Sequence, residues 1–177
     1  PVISIRSLVR FYRIGTNSRQ FNINSETTFL SDKILCATKD AYGNLWFGTE
    51  GGGVLMWNGT KFSYLDINNS GLQSNTIRSI LADQRGNLWF ATWGGGLSMY
   101  DGNEWTTYRA ATSDLPADQL YDLAEDAGGN IWIAASSMGI CQLNPLTGSM
   151  QTYNSQNAGI PNDVRCIALK AEGSVYI

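Results

Sequence analysis

The chain has 177 residues, 43% of them hydrophobic and 15% charged, with a formal net charge of −3, 19 Gly, 4 Pro and no His. Ordinary apolar content at so low a net charge excludes an intrinsically disordered chain and allows a domain with a real core. Twelve basic against 15 acidic residues argue against a broad nucleic-acid footprint; no apolar run reaches the ~18 residues of a membrane helix; and the missing His removes the commonest general base and a common metal ligand.

In chain order the sequence is a repeat. Gly43-Asn44-Leu45-Trp46-Phe47-Gly48-Thr49 returns as Gly86-Asn87-Leu88-Trp89-Phe90-Ala91-Thr92. It returns again as Gly129-Asn130-Ile131-Trp132-Ile133-Ala134-Ala135, and a fourth copy opens at Gly173-Ser174-Val175-Tyr176-Ile177. The glycine-to-glycine steps are 43, 43 and 44 residues. An apolar run precedes each glycine, at 34–40, 77–83, 120–126 and 164–170. Glycine-rich turns follow at 51–53 and 94–96, with a weaker counterpart at 137–139. Third runs occupy 54–57, 97–100 and 140–143, and fourth runs 62–65, 105–108 and 150–153, with Asn58-Gly59, Asp101-Gly102 and the longer turn 144–148 between them. Upstream, residues 8–13 and 21–24 match a third and a fourth run, and 2–7 read as a second one.

Runs of this length, rich in aromatic and β-branched residues and split by Gly, Asn and Asp, are strands. Asn-Gly and Asp-Gly mark hairpin turns that need positive φ, and the Asp-x-x-Gly-Asn turns suit a type I turn followed by a left-handed glycine. Four antiparallel strands at a period near 43 predict an all-β fold, a β-propeller segment of about four blades. The single propeller segment spans 1–177, with a partial blade at 1–30, blades at 31–73, 74–116 and 117–160, and a partial blade at 161–177. Trp46, Trp89, Trp132 and Tyr176 form one packed column, and Leu45, Leu88, Ile131 and Val175 another on the opposite face. Gly48, Ala91 and Ala134 keep a third column small where a neighbouring blade comes close. The incomplete ends fit a larger propeller of about six to eight blades, or a ring finished by a second chain, better than a closed four-bladed ring. Cys36, Cys141 and Cys166 lie in strand-like runs and read as small buried hydrophobes; one bridge plus a free thiol is the alternative.

The unit resembles the two-component regulator propeller repeat. The resemblance rests on Ile77-Arg78-Ser79-Ile80-Leu81-Ala82-Asp83, Gly86-Asn87-Leu88-Trp89-Phe90-Ala91-Thr92 and Gly94-Gly95-Gly96-Leu97. Residues 34–54 match almost as well, and 120–140 match without the Thr and two of the glycines. It implies a periplasmic or extracellular sensor region of a bacterial hybrid histidine kinase and a carbohydrate or other small-molecule ligand; no cofactor is expected. In that family two propellers commonly precede a small β-sandwich, a membrane helix and the kinase, and none of those last three lies in these residues. A rival class is a lyase resembling streptogramin lyase, also a propeller with Gly-Asn-x-Trp-Phe repeats. Such a lyase is expected to need a His acid and a metal held by acidic groups, and no catalytic motif or metal-ligand spacing is seen here. A structural, protein-binding propeller is the other rival.

Repeated residues build the scaffold, so function is sought where equivalent positions differ. The loops from strand two to three, and from strand four to the next strand one, share one face of a propeller. Glu50, Trp93 and Ser136 are equivalent on the first kind of loop. Trp93 suits stacking on a sugar, or packing between blades. Arg78, Tyr121 and Arg165 share a position where the first blade has Leu35, and suit an acidic ligand or inter-blade bonds. Asp32, Asn75, Asp118 and Asn162 start the inner strands, where they form a polar ring or, as Asx residues do, bond their own turns. The candidate ligand-binding residues are therefore Trp93, Glu50, Arg78, Tyr121, Arg165 and Asp118. Leu72, Leu115 and Ile160 read as loop anchors.

Overall fold

The computed structural model describes residues 33–170 and 174–177. The strand-like runs at 2–13 and 21–24, and Asp32, lie outside the described residues.

Three four-stranded antiparallel sheets follow one another, each a simple meander. The first holds β1 (Ile34–Lys39), β2 (Leu45–Thr49), β3 (Val54–Trp57) and β4 (Phe62–Leu65). The second holds β5 (Ile77–Ala82), β6 (Leu88–Thr92), β7 (Leu97–Tyr100) and β8 (Trp105–Tyr108). The third holds β9 (Leu120–Glu125), β10 (Ile131–Ala135), β11 (Gly139–Leu143) and β12 (Met150–Tyr153), and a two-stranded sheet follows from β13 (Ala168–Leu169) and β14 (Val175–Tyr176).

The sheets stack because each has two apolar faces. Between the first and second lie Trp46, Val54, Leu72, Ile77, Ile80, Leu88 and Phe90. Between the second and third lie Trp89, Ala91, Leu97, Leu115, Leu120, Leu123, Ile131 and Ile133. The third meets β13–β14 through Ala134, Ile140, Val164 and Ile167. The small column has its reason in this stacking. A Cβ on Gly48 would lie 2.5 Å from Cys36 Sγ and 2.8 Å from Ile77 Cγ2 of the next blade. Leu72 and Leu115 are buried and pin their loops, as expected of anchors.

One device recurs in each blade. The Asp that ends the inner strand folds its carboxylate back over the turn. Asp83 Oδ1 accepts from Arg85 N at 3.0 Å and Asn87 N at 2.7 Å, and Oδ2 from Asn87 Nδ2 at 2.9 Å. The same Oδ2 accepts the buried indole N–H of Trp89 at 2.8 Å. Asp40 does this for Trp46, and Asp126 for Trp132, each at 2.9 Å. The turn closes with Gly86 at φ 90°, a conformation that disfavours a Cβ.

The last copy departs from the expected pattern. Strand pairing covers two residues, Ala168–Leu169, rather than 164–170, because its partner β14 is also two residues long. Ahead of it, Ile167 N is taken by Asp122 Oδ2 at 2.9 Å. Trp89 is fully buried, but Trp132 is half-buried, stacked on Tyr153 at 5.7 Å, and Tyr176 is exposed. All three cysteines are free thiols; Cys141 is buried and Cys36 half-buried, but Cys166 is exposed, so the buried-hydrophobe reading fails there. Burial pushes Cys36 up to about 12 and Cys141 to about 11, which keeps both as thiols.

Candidate functional site

The inner strand of each four-stranded blade carries a β-bulge near its start. Pairing steps from Ile34 to Cys36, from Ile77 to Ser79 and, in the third blade, from Leu120 to Asp122. The residues left out of the ladder are Leu35, Arg78 and Tyr121. A bulge frees one residue from the alternation of the sheet and re-aims its side chain. The bulge is part of every four-stranded blade described; what varies is the side chain placed on it.

Trp93 follows β6 directly. Its N–H donates to Thr76 O at 2.9 Å, its carbonyl accepts from Ser74 Oγ at 3.0 Å, and it bridges to Gln119 of the next blade. The loop that follows is tied across the blade gap, since Gly94 N and Gly96 N both donate to Asp118 O at 3.0 Å. The Asp118 carboxylate braces the same loop region. Its Oδ1 accepts from Ala110 N at 2.8 Å and its Oδ2 from Arg109 Nη2 at 2.9 Å. Burial raises the Asp118 carboxyl, but the bonds from Arg109 and Ala110 and the Arg109 charge outweigh that and leave it below the usual range. Gly96 is held so close to this latch that a Cβ would run into the Tyr108 carbonyl.

The loop is therefore fixed by its main chain, while Trp93 as a residue stays 40% exposed. It lies against Tyr121, ring centroids 5.2 Å apart. Arg78 Cζ sits 5.2 Å from the Trp93 ring and 5.5 Å from that of Tyr121. Arg165 Cζ stands 5.5 Å from Tyr121 as well. Four of the six candidate residues, Trp93, Arg78, Tyr121 and Arg165, thus meet in one cluster of two aromatic faces and two guanidinium groups (separations within cation–π reach). It spans the second blade, the third blade and the start of the last copy.

The other two lie apart from it. Glu50 occupies the Trp93 position one blade earlier, where its N–H donates to Lys33 O at 2.9 Å and its carboxylate pairs with Lys33 Nζ. Asp118 latches the loop beneath Trp93. Asn75 and Asn162 act alike, accepting from Ile67 N at 3.0 Å and Ser155 N at 2.9 Å, so the inner-strand Asx residues bond their own loops. A residue that sequence reasoning missed is Asp122. It accepts from Ser79 Oγ of the preceding blade at 2.9 Å and from Ile167 N of the following segment, joining three inner strands beside the cluster. Its equivalents are Cys36, Ser79 and Cys166, and a lone carboxylate among short side chains was the available signal.

Two cavities lie elsewhere. An apolar one of about 160 Å³ is lined by Trp132, Ile140, Tyr153 and Val175, and a polar one of about 290 Å³ by Asn130, Gln142 and Gln151 among others. Among the described residues no group of three or more His, Cys, Asp or Glu is arranged to hold a metal ion. Nor is any helix of the described residues long and apolar enough to cross a membrane.

The two component regulator propeller model matches residues 28–51 and 71–94. No curated protein matches the chain in sequence. In structure it is similar to an extracellular domain ascribed to a hybrid two component system of B. thetaiotaomicron, at 24% identity and a TM-score of 0.76 over 92% of this chain and 23% of that one. A second such domain from the same organism is similar at 19% identity and a TM-score of 0.68, over 81% of this chain and 21% of that one. Catalytically inactive virginiamycin B lyase from Staphylococcus aureus, solved with quinupristin, is similar at 16% identity and a TM-score of 0.63, over 89% of this chain and 51% of that one. The chain spans about a quarter of the length of the two B. thetaiotaomicron domains, and at these identities the likeness is one of fold. The chain is a β-propeller segment whose residues 28–51 and 71–94 match the two component regulator propeller model, with the fold seen in extracellular domains ascribed to hybrid two component systems.

Proposed function

We propose that this chain is a non-catalytic, ligand-binding part of a periplasmic or extracellular sensor region in a bacterial two-component system, and that it binds a carbohydrate at the cluster around Trp93. The observation that supports this reading most is the exposed indole on a loop whose main chain is fixed on both sides. A rigid aromatic face offers a sugar ring contact at little entropic cost. Tyr121 lies against that face, tilted by 53°, and the guanidinium groups of Arg78 and Arg165, set over these rings, supply hydrogen-bond donors beside it. Further blades, in the same chain or a second one, complete the ring.

The rival readings have less support. The inactive lyase was solved as a His-to-Ala variant, and this chain has no His to take such a part. For a protein-binding face, a contiguous apolar patch is expected. Apart from the adjacent Tyr176 and Ile177, the large exposed apolar residues among those described, Tyr42, Ile67, Trp93, Met138 and Leu146, fall on five different loops.

The test is an array of immobilised oligosaccharides, neutral, uronate-bearing and sulfate-bearing, probed with the wild-type chain and with Trp93→Ala. The wild type is expected to bind a defined subset, and Trp93→Ala to lose that binding at an unchanged melting temperature. Binding that survives in Trp93→Ala refutes the site, and a Trp93→Ala protein that no longer folds shows the indole to be structural.

A further inference from the structure

We infer that the carbohydrate is anionic, carrying a carboxylate or a sulfate ester that Arg78 and Arg165 hold; this rests on the binding role just proposed for the cluster. The reason is that Arg78 is in no ion pair among the described residues and Arg165 has only an exposed one. The ion pairs among the described residues are Lys33 with Glu50, Arg109 with Asp118, and Arg165 with Asp163. Arg78 takes part in none of them. Its Nε is buried and has no hydrogen-bond partner among the described residues, and its guanidinium lies over the faces of Trp93 and Tyr121. A partly desolvated cation next to two aromatic faces is a strong receptor for an oxyanion, because screening by water is reduced there.

Arg165 adds to this. Its Nε and Nη2 both donate to one oxygen of Asp163, at 3.3 and 3.1 Å, which leaves Nη1 uncommitted by that pair. Both partners of the pair are largely exposed, 69% and 57%, so Asp163 neutralises the guanidinium weakly. Both guanidinium groups lie 5.5 Å from the Tyr121 ring centroid. An acidic sugar at Trp93 would bring its anionic substituent within reach of guanidinium groups that already sit over Trp93 and Tyr121. The location is specific within the repeat. The first blade has Leu35 and Glu50 at the equivalent positions, and the chain as a whole is acidic at −3, so the cluster is a positive spot on a negative molecule.

The experiment uses the same array, followed by titration calorimetry with the best-binding oligosaccharide, on wild type, Trp93→Ala, Arg78→Met and Arg165→Met, each checked for an unchanged melt. Methionine keeps the apolar stem and removes only the charged fork. Uronate- or sulfate-bearing sugars are expected to bind and neutral ones not. The affinity is expected to fall at least ~10-fold in Arg78→Met, and to fall as salt is raised from about 0.05 to about 0.5 M. Which acidic class binds tells carboxylate from sulfate. Neutral sugars binding in a Trp93-dependent, salt-independent way would overturn the anionic inference and leave the carbohydrate site standing. No glycan binding, or binding that ignores Trp93→Ala, would overturn both. An Arg78→Met protein that binds an acidic sugar as the wild type does would overturn the assignment of Arg78.

Discussion

Replacing Asp83 by Ala removes the acceptor at the centre of the second blade. Four bonds end on its carboxylate, from Arg85 N, Asn87 N, Asn87 Nδ2 and Trp89 Nε1. The three turn donors sit at the half-buried or exposed end of the blade, where water takes over, and their loss costs little. The indole is different: Trp89 is fully buried, so its N–H is left without a partner. An unsatisfied buried donor costs about 1–3 kcal/mol, and a bond to a charged acceptor stands at the upper end. Together with the loosened turn, the loss is about 2–4 kcal/mol. At about 2–4 °C per kcal/mol for a domain of this size, Tm falls by about 5–15 °C. Urea unfolding followed by far-UV circular dichroism reads the change, and a double-mutant cycle with Trp89→Phe isolates the indole–carboxylate bond. A loss below about 1 kcal/mol, or no coupling in the cycle, would refute the claim that this bond holds the blade together.

The tryptophan column grades the same way. Trp89→Ala is expected to cost about 3–5 kcal/mol and Trp132→Ala clearly less, because Trp132 is half-buried; equal losses in urea would contradict the packing described. Gly48→Ala is expected to cost about 1–3 kcal/mol, since its Cβ would crowd Cys36 and Ile77; an unchanged urea midpoint would show that the first two blades are not in tight contact. On acidification stability is expected to fall. Burial raises the carboxyls of Asp40, Asp118 and Asp126, but hydrogen bonds from Trp46 and Asn44, from Arg109 and Ala110, and from Asn130 and Trp132 outweigh it and leave each below its ordinary value. Their contribution is complete above the unfolded value near ~4 and is lost as pH falls through the lower folded values. Glu125, pushed up mainly by burial, works the other way. The urea midpoint should therefore drop below about pH 4, and a midpoint flat to about pH 2.5 would count against these bonds.

Most of the scaffold was legible because it is local and repeated. Strands β3, β4, β7, β8 and β12 begin and end at the residues where the sequence runs do, since each run is closed by a turn whose chemistry is written in Asn, Asp and Gly. The Asp-to-Trp bond was not anticipated, although its signal is plain: an Asp stands six residues before each of Trp46, Trp89 and Trp132. The site was legible in part. Comparing equivalent positions picked out Arg78, Trp93, Tyr121 and Arg165, but nothing in the sequence said that they touch. Their meeting depends on the bulges at Arg78 and Tyr121, and a skipped residue leaves no mark in a pattern of alternating side chains. Asp118 and Glu50 were equally good candidates by position and differ only in what the fold gives them as partners, Arg109 and Lys33. In the last copy the apolar run at 164–170 looked like its predecessors, yet strand pairing also needs a partner strand, and the sequence of one strand does not report the length of its neighbour.

The most direct test of a site at Trp93 is a nitrogen–proton correlation spectrum of the six tryptophan indoles, recorded while an oligosaccharide selected on the array is added. The indoles of Trp46, Trp89 and Trp132 are bonded to Asp40, Asp83 and Asp126 and should hold their positions. The Trp93 signal, assigned from the spectrum of Trp93→Phe, should move progressively and saturate. A Trp93 signal that stays still while another indole shifts would place the ligand elsewhere and contradict the account.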